Sequence, residues 1–512
     1  MRVQIIKKAA IWLAALTALL IVLLMTGTIF QSRTFKLHNS SSAIAAAILL
    51  SGAVIMAVGA AAHYLRHRNS LTIFAVLMVL SIGKLIIMVN FPIQPTSDFY
   101  TYHSLAQSVV SGNTWQKMLT DGTLGDNILW PHVLNIAWFF SVFYSFFTNS
   151  IIVGQLVSIT LSGVSAFLIY VILRKFLDQR VAIFAALLFY ALPAFWLYSI
   201  LNAPESFFLV FLLGSVLCYY DALYTVNDTN TKNFFYLALS LLLLFLANMI
   251  RPVVLVWIIV IVLVSLLGLP SQRISGKRLL ARAAVFAVLF SGLSAAAIPI
   301  YRMFYGIDLA PAAVLQNYSI ATGTSVTTGG QYNATIRRTV DKILDQPHQS
   351  RNTRYQRIIR QMDAITSNNL HTIKRTGVTA FVWQKVKNYM DENYGADWLL
   401  YNTQGSTAKR FTATVLPFVS VYAVVYFAML LLLTASAIAA QLVMMWRRPG
   451  LSNRAINLLF YGTLAVDGFF LSALLLEVQG RYHIVLYLPI IVLLALGGQL
   501  ISQQLHQNEK EV

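Results

Sequence analysis

Apolar segments of about 20 residues recur along the whole chain, and one helix of that length crosses the roughly 30 Å hydrocarbon core of a bilayer. Thirteen can be marked, at 9–30, 42–63, 71–90, 131–148, 151–173, 181–200, 205–224, 234–250, 252–269, 283–300, 411–443, 456–476 and 483–503. Of the 512 residues, 58% are hydrophobic and 11% charged, with a mean hydropathy of +0.69. Soluble domains are only about 45–50% apolar, so a soluble globular enzyme is excluded. The first segment follows Arg2, Lys7 and Lys8, is too long for the apolar part of a signal peptide, and reads as a retained helix. Cys218 is the single cysteine, which excludes an intramolecular disulfide and a cysteine-based zinc site.

The net charge of +19 does not call for nucleic acid as a partner, because the basic residues fall in short clusters between apolar segments. If 131–148 lies at the surface without crossing, then Arg66/Arg68, Arg174/Lys175/Arg180, Arg273/Lys277/Arg278/Arg282 and Arg447/Arg448/Arg454 share one side with the N-terminus. That side then carries 17 Lys and Arg residues, against five in the short loops opposite, and is cytoplasmic by the positive-inside rule. A crossing at 131–148 would move three of those clusters outside. The expectation is therefore an all-α polytopic membrane protein with about twelve transmembrane helices, both termini cytoplasmic, and an outer juxtamembrane helix at 131–148.

The chain divides into a two-helix extension (1–70), a transmembrane core (71–300) with a first outer loop at 91–130, an extracytoplasmic region (301–410), C-terminal helices (411–503) and a short tail (504–512). The 301–410 region carries fourteen basic and seven acidic residues. Ile336, Val340, Ile343 and Leu344 share one helical face, as do Tyr355, Ile358, Ile359, Met362 and Ile365, and Phe381, Val382, Val386 and Tyr389. Such faces suit anionic lipid, the rest of the protein, or plain solvation of their charged sides. The Ser/Thr/Gly run 322–330 reads as a mobile loop.

With only 18 acids, candidates for acid–base work can be sorted by side. Asp178, Asp221, Asp228, Glu509 and Glu511 belong to inner loops or the tail. Asp467 lies within an apolar helix, where a functional role and a helix-to-helix hydrogen bond are both open. Asp98, Glu205 and Glu477 come from distant parts of the chain, yet each sits at an outer helix end. Asp98 follows two prolines at the start of an aromatic helix, and a helix cap is its competing reading. Glu205 occupies a first helical turn, where the helix dipole favours a carboxylate. Arg251, in Asn248-Met-Ile-Arg-Pro252, either snorkels to the interface or pairs with a phosphate. Glu477-Val-Gln-Gly-Arg481-Tyr482-His483 places an acid, an arginine, a tyrosine and a histidine between two apolar helices.

The order and sidedness of Ser97-Asp98-Phe99-Tyr100, Tyr102-His103, Ala203-Pro204-Glu205, the Arg251-Pro252 hairpin and Arg481-Tyr482 resemble the GT-C glycosyltransferases. Within them the closest resemblance is to bacterial family 39-like enzymes related to protein O-mannosyltransferases and to ArnT-like aminoarabinose transferases. The resemblance covers about 71–503. It implies transfer of a sugar from a polyprenyl-phosphate donor to a cell-envelope acceptor (glycan, teichoic acid, lipid or protein) on the outer face of a bacterial plasma membrane. Asp98 would be the general base and Glu205 would orient the acceptor or bind a metal. Arg251 and Arg481 would neutralise the leaving phosphate, and Tyr102, His103, Glu477, Tyr482 and His483 complete the candidate substrate-binding set. The Asp-Glu pair common in the family's first loop is Asp98-Phe99 here, so no metal site is specified and a divalent ion stays open. A lipid-linked sugar flippase or transporter, and a polysaccharide polymerase or ligase, are the alternatives.

Overall fold

A computed structural model describes residues 2–224, 230–269, 276–346, 348–447 and 452–511. Asp228, Arg273 and Arg448 lie outside the described residues. Among those described, all regular elements are helices apart from one isolated bridge between Ile93 and Thr403. Ten helices are long and apolar enough to cross a membrane, and Gln179–Tyr190 and Leu255–Leu267 are shorter apolar helices. Polar caps open several of them: Asn69 accepts from the Thr72 amide at 2.8 Å, and Ser40 and Ser452 do the same for Ala43 and Ala455.

Pro131–Phe146 has 16 residues, or about 24 Å at 1.5 Å per residue, short of a bilayer core. It packs on Ser97–Val110 and is pinned by Asn135, which donates to the Met249 carbonyl at 2.9 Å and accepts from the Tyr305 hydroxyl at 2.6 Å.

Three expected helices are interrupted, the 71–90 segment at Ser81, between Ser70–Leu80 and Ile82–Asn90. The 181–200 segment stops at Tyr190 and resumes as Pro193–Tyr198, because a proline lacks the amide and clashes with the preceding turn. Residues 199–204 are then unwound, and buried side chains satisfy the freed carbonyls, as non-helical backbone among apolar helices requires. Gln155 donates to Ile200 O at 2.9 Å and Ser158 to Ala203 O at 3.2 Å. Asn202 in turn donates to Phe99 O at 3.0 Å, tying this segment to the residue after Asp98. The 283–300 segment likewise divides into Gly276–Ala295 and Ala297–Tyr305. Asp467 accepts from the Thr17 hydroxyl at 2.7 Å, a bond from one membrane helix to another.

The amphipathic faces of 301–410 pack on protein. Ile336, Val340, Ile343, Tyr355, Ile358 and Met362 join Trp115, Trp130 and Tyr305 in one buried cluster. The 322–330 run corrects the expectation of a mobile loop. Ala312–Gly323 is helical through its first residues, Thr322 and Ser325 are buried, and Asn388 donates to the Thr328 and Gly329 carbonyls at 3.1 Å. Hydrophilic composition misleads here because the polar groups are consumed internally.

Candidate active site

The site lies at one end of the bundle, where the 91–130 loop, the unwound 199–204 segment, the Arg251 hairpin and the 476–483 connection meet. Two close approaches shape it. A Cβ on Gly395 would sit 1.9 Å from Ala194 O, and one on Gly480 would sit 2.4 Å from Asp391 O. Only glycine admits the backbone contacts that seat Tyr394–Asn402 on Pro193–Tyr198 and hold the short helical turn Gly480–His483 against residue 391.

Asp98 sits in the first turn of Ser97–Val110, and the helix has no side-chain cap. The capping reading therefore fails, and the carboxylate turns elsewhere: Arg481 Nη2 donates to Asp98 Oδ2 at 2.5 Å. Ser97 has φ +50°, a left-handed backbone that costs a non-glycine residue energy and is typical of sites that aim a side chain. Thr96 is fixed beside it by its amide and hydroxyl, both donating to Asn402 Oδ1 at 2.7 and 2.9 Å.

Arg481 Nε donates to Gln479 at 3.1 Å, and Gln479 donates to Glu477 at 2.9 Å; Arg481 Nη1 makes no hydrogen bond. Beneath this pair, Arg251 donates to Glu205 in an ion pair whose side chains are 15% and 2% exposed. The second Glu205 oxygen has no partner. Both guanidiniums lie near the Tyr482 ring, that of Arg251 at 5.3 Å and that of Arg481 at 5.5 Å, and Trp398 lies 5.4 Å from Arg481. Two cations are thus held around one ring, each matched by one carboxylate.

Electrostatics follows from this arrangement. Burial pushes the Asp98 carboxyl up, but the charge and hydrogen bond of Arg481, helped by Arg251, outweigh it and leave Asp98 below the usual carboxylate range. Tyr102, one turn on, is buried, and burial together with the Asp98 charge raises its phenol. Glu477 is raised, chiefly by burial.

His132 is not among the sequence-based candidates. In the structure it sits in the first turn of Pro131–Phe146. Burial and then the Arg251 charge push it down to about 4, so it is neutral near pH 7, and its Nδ1 has no partner among the described residues. The available signal was its place directly after Trp130-Pro131 at the start of a surface helix.

Two candidates are placed elsewhere. His103 bonds to the Tyr144 hydroxyl at 2.8 Å, and its only resolved perturbation is burial. His483 is fully enclosed, with Nδ1 on Tyr389 O at 2.7 Å and Nε2 on Glu392. Glu392 also accepts from Tyr487 at 2.5 Å. With both nitrogens used and no surface, His483 cannot touch a substrate; this corrects its assignment and makes it an anchor for the turn bearing Arg481. Among the described residues, no three His, Cys, Asp or Glu side chains come together as a metal site. Asp98 and Glu205 are each already charge-matched by an arginine, so this donor set does not fit a divalent ion.

Residues 131–295 match the dolichyl-phosphate-mannose-protein mannosyltransferase family model. No curated protein matches. Among solved structures, the oligosaccharyltransferase AglB from Archaeoglobus fulgidus, in complex with an inhibitory peptide and a dolichol-phosphate, is 13% identical with a TM-score of 0.44, covering 87% of this chain. The chain spans only 52% of AglB's length. ArnT from Cupriavidus metallidurans, bound to undecaprenyl phosphate, is 12% identical with a TM-score of 0.32, over 85% of this chain and 77% of that one. The family match and the all-helical polytopic fold agree with a GT-C-type membrane glycosyltransferase.

Proposed function

We propose that the protein transfers a sugar from a polyprenyl-phosphate donor to a hydroxyl-bearing acceptor of the cell envelope, on the outer face of a plasma membrane, with Asp98 as general base. One observation carries this reading: two guanidiniums lie against a single aromatic ring at a helix-bundle end, and one of them is paired to a carboxylate that remains 42% exposed. The family match adds the donor class, since its name specifies a dolichyl-phosphate-linked sugar.

The apparent difficulty is that a carboxylate held at low pKa is a weak base. A phosphate resolves it. A departing lipid phosphate competes with Asp98 for Arg481, whose Nη1 is still uncommitted. As negative charge grows on the phosphate, Arg481 shifts towards it and the proton affinity of Asp98 rises. The base then strengthens as the acceptor hydroxyl attacks the anomeric carbon, so the cation is used most fully in the transition state. Arg251 supplies the second cation, and Glu205 balances it while the donor is absent. Displacement by a hydroxyl opposite the departing phosphate inverts the anomeric centre.

Asp98→Asn tests the assignment. The Asp98 side chain is 42% exposed but Arg481 is only 5% exposed, so removing the charge costs some stability; the asparagine oxygen can still accept from Arg481, and folding and insertion are checked by melting temperature beside the transfer assay. Loss of general-base help lowers turnover by about 10²–10⁴. The assay is sugar transfer from a labelled polyprenyl-phosphate sugar to a crude envelope fraction. Near-normal transfer by Asp98→Asn sinks the role of Asp98. Movement of the lipid without bond cleavage by the unaltered protein sinks the reaction itself.

A further inference from the structure

Far from Asp98, between the helices Ile151–Arg174, Glu205–Tyr224, Leu255–Leu267, Gly276–Ala295, Asn453–Leu475 and Ile484–Glu511, lies a cavity of about 650 Å³. Its volume is within the ~300–1,000 Å³ range of ligand pockets, and its wall is mostly hydrocarbon. Along Glu205–Tyr224 it extends from Leu212 to Leu223, about 16 Å at 1.5 Å per residue, or roughly half a bilayer core. Apolar side chains such as Ile169, Leu212, Val216, Leu488 and Val492 make up most of the wall and suit an acyl chain.

The cavity opens at the bundle end opposite the Asp98 site, where Ser452 and Arg454 are exposed on its rim. Arg454 is held there by a 3.1 Å bond to the Tyr220 hydroxyl and by the Phe176 ring at 5.1 Å. Arg282 lies beside the rim, donating to Ala222 O at 3.3 Å. The neighbouring Lys175 is neutralised by Asp221 at 2.6 Å. The rim is thus net positive above an apolar shaft one leaflet deep.

We propose that this cavity is a lipid-binding site that takes one acyl chain of an anionic phospholipid from the leaflet opposite the Asp98 site, with Arg454 on the headgroup phosphate. Charge and depth select the occupant. A zwitterionic lipid gains less from the rim, and a donor lipid whose phosphate sits between Arg251 and Arg481 is anchored at the other end. The site is independent of the transfer reaction, and its function is to fill the shaft and brace the six helices around it.

The test uses the full-length protein, delipidated in detergent, with phosphatidylglycerol, phosphatidylcholine and a polyprenyl phosphate added separately; retention is read by native mass spectrometry and melting temperature by a thermal scan. Phosphatidylglycerol should be retained and raise the melting temperature more than phosphatidylcholine does. Arg454→Gln should weaken its retention about fivefold, the worth of roughly one charge at an anionic surface. Val216→Trp or Val492→Trp, which fill the shaft, should abolish the retention and the thermal gain. Because Arg454 is exposed, its substitution does not threaten folding and keeps the proposal falsifiable if a tryptophan variant misfolds. Equal retention of both phospholipids, or retention unchanged in Arg454→Gln, overturns the proposal. Displacement of phosphatidylglycerol by polyprenyl phosphate also overturns it and assigns the shaft to that chain.

Discussion

The buried Arg251–Glu205 pair allows a structural role to be separated from a chemical one. With side chains 15% and 2% exposed, it lies near the limit in which removing one partner strands a charge, at a cost of about 3–5 kcal/mol. Arg251→Met leaves Glu205 enclosed and, among the described residues, without a partner on either oxygen, since the second has none already. Glu205→Gln is milder, because Arg251 keeps its ring contact with Tyr482 and more access to solvent. In the double variant no charge is stranded, and the cost falls well below the sum of the singles, with a coupling of about 1–3 kcal/mol. Melting temperatures in one detergent should therefore fall in the order unaltered protein, double variant, Glu205→Gln, Arg251→Met. Transfer activity should not follow that order. The double variant regains stability but lacks a phosphate-binding cation, so it stays inactive. Strict additivity of the stability changes would refute the buried-pair argument, and recovery of transfer in the double variant would refute a role for Arg251 in binding the donor.

Other expectations concern neighbouring residues. His132 is held at about 4 in the folded protein, against roughly 6.5 when unfolded. The unfolded state therefore binds more protons between those values, and stability falls as pH drops from about 6.5 to 4. His132→Gln should flatten that part of a stability–pH profile, and an unchanged slope would show that the imidazole is not desolvated. Gly395→Ala places a methyl group against the Ala194 backbone and should lower the melting temperature, whereas Ala396→Gly should be far milder; equal effects would refute the close approach. Ser97→Gly should be neutral or stabilising and Ser97→Val harmful, because φ is +50° there; measured expression and melting in the reverse order would remove the strain argument.

The membrane helices were legible because 20-residue apolar runs admit almost no other structure, and parity of charge set 131–148 apart, the segment that forms the 16-residue helix Pro131–Phe146. The gathering of Asp98, Glu205, Arg251 and Arg481 could be anticipated from sidedness alone, since scarce outer charges at helix ends have little area over which to spread. Their pairing could not, because it depends on which arginine reaches which acid across more than 380 positions in one case and 46 in the other. The gap between the 181–200 and 205–224 segments was legible, but not the bonds that hold its backbone. Its supports, Gln155 and Ser158, look like incidental polar residues on another helix. His483 misled for a related reason: nearness in sequence to Arg481 says nothing about which way a side chain faces in a tight turn.

The loop carrying Glu477 and Arg481 is also joined to the outer region by its backbone. The Glu477 amide donates to Ser319 O at 3.0 Å and the Val478 amide to Gly330 O at 2.9 Å, while Lys385 donates to the carbonyls of both Gly323 and Leu474. These bonds make the outer region a strut for the arginine rather than a lid laid over it. In hydrogen-exchange terms, the amides of 477 and 478 should open only when the strut detaches. The two protons are therefore native reporters of docking: any acceptor or lipid that loosens the outer region would announce itself there before it altered the membrane helices.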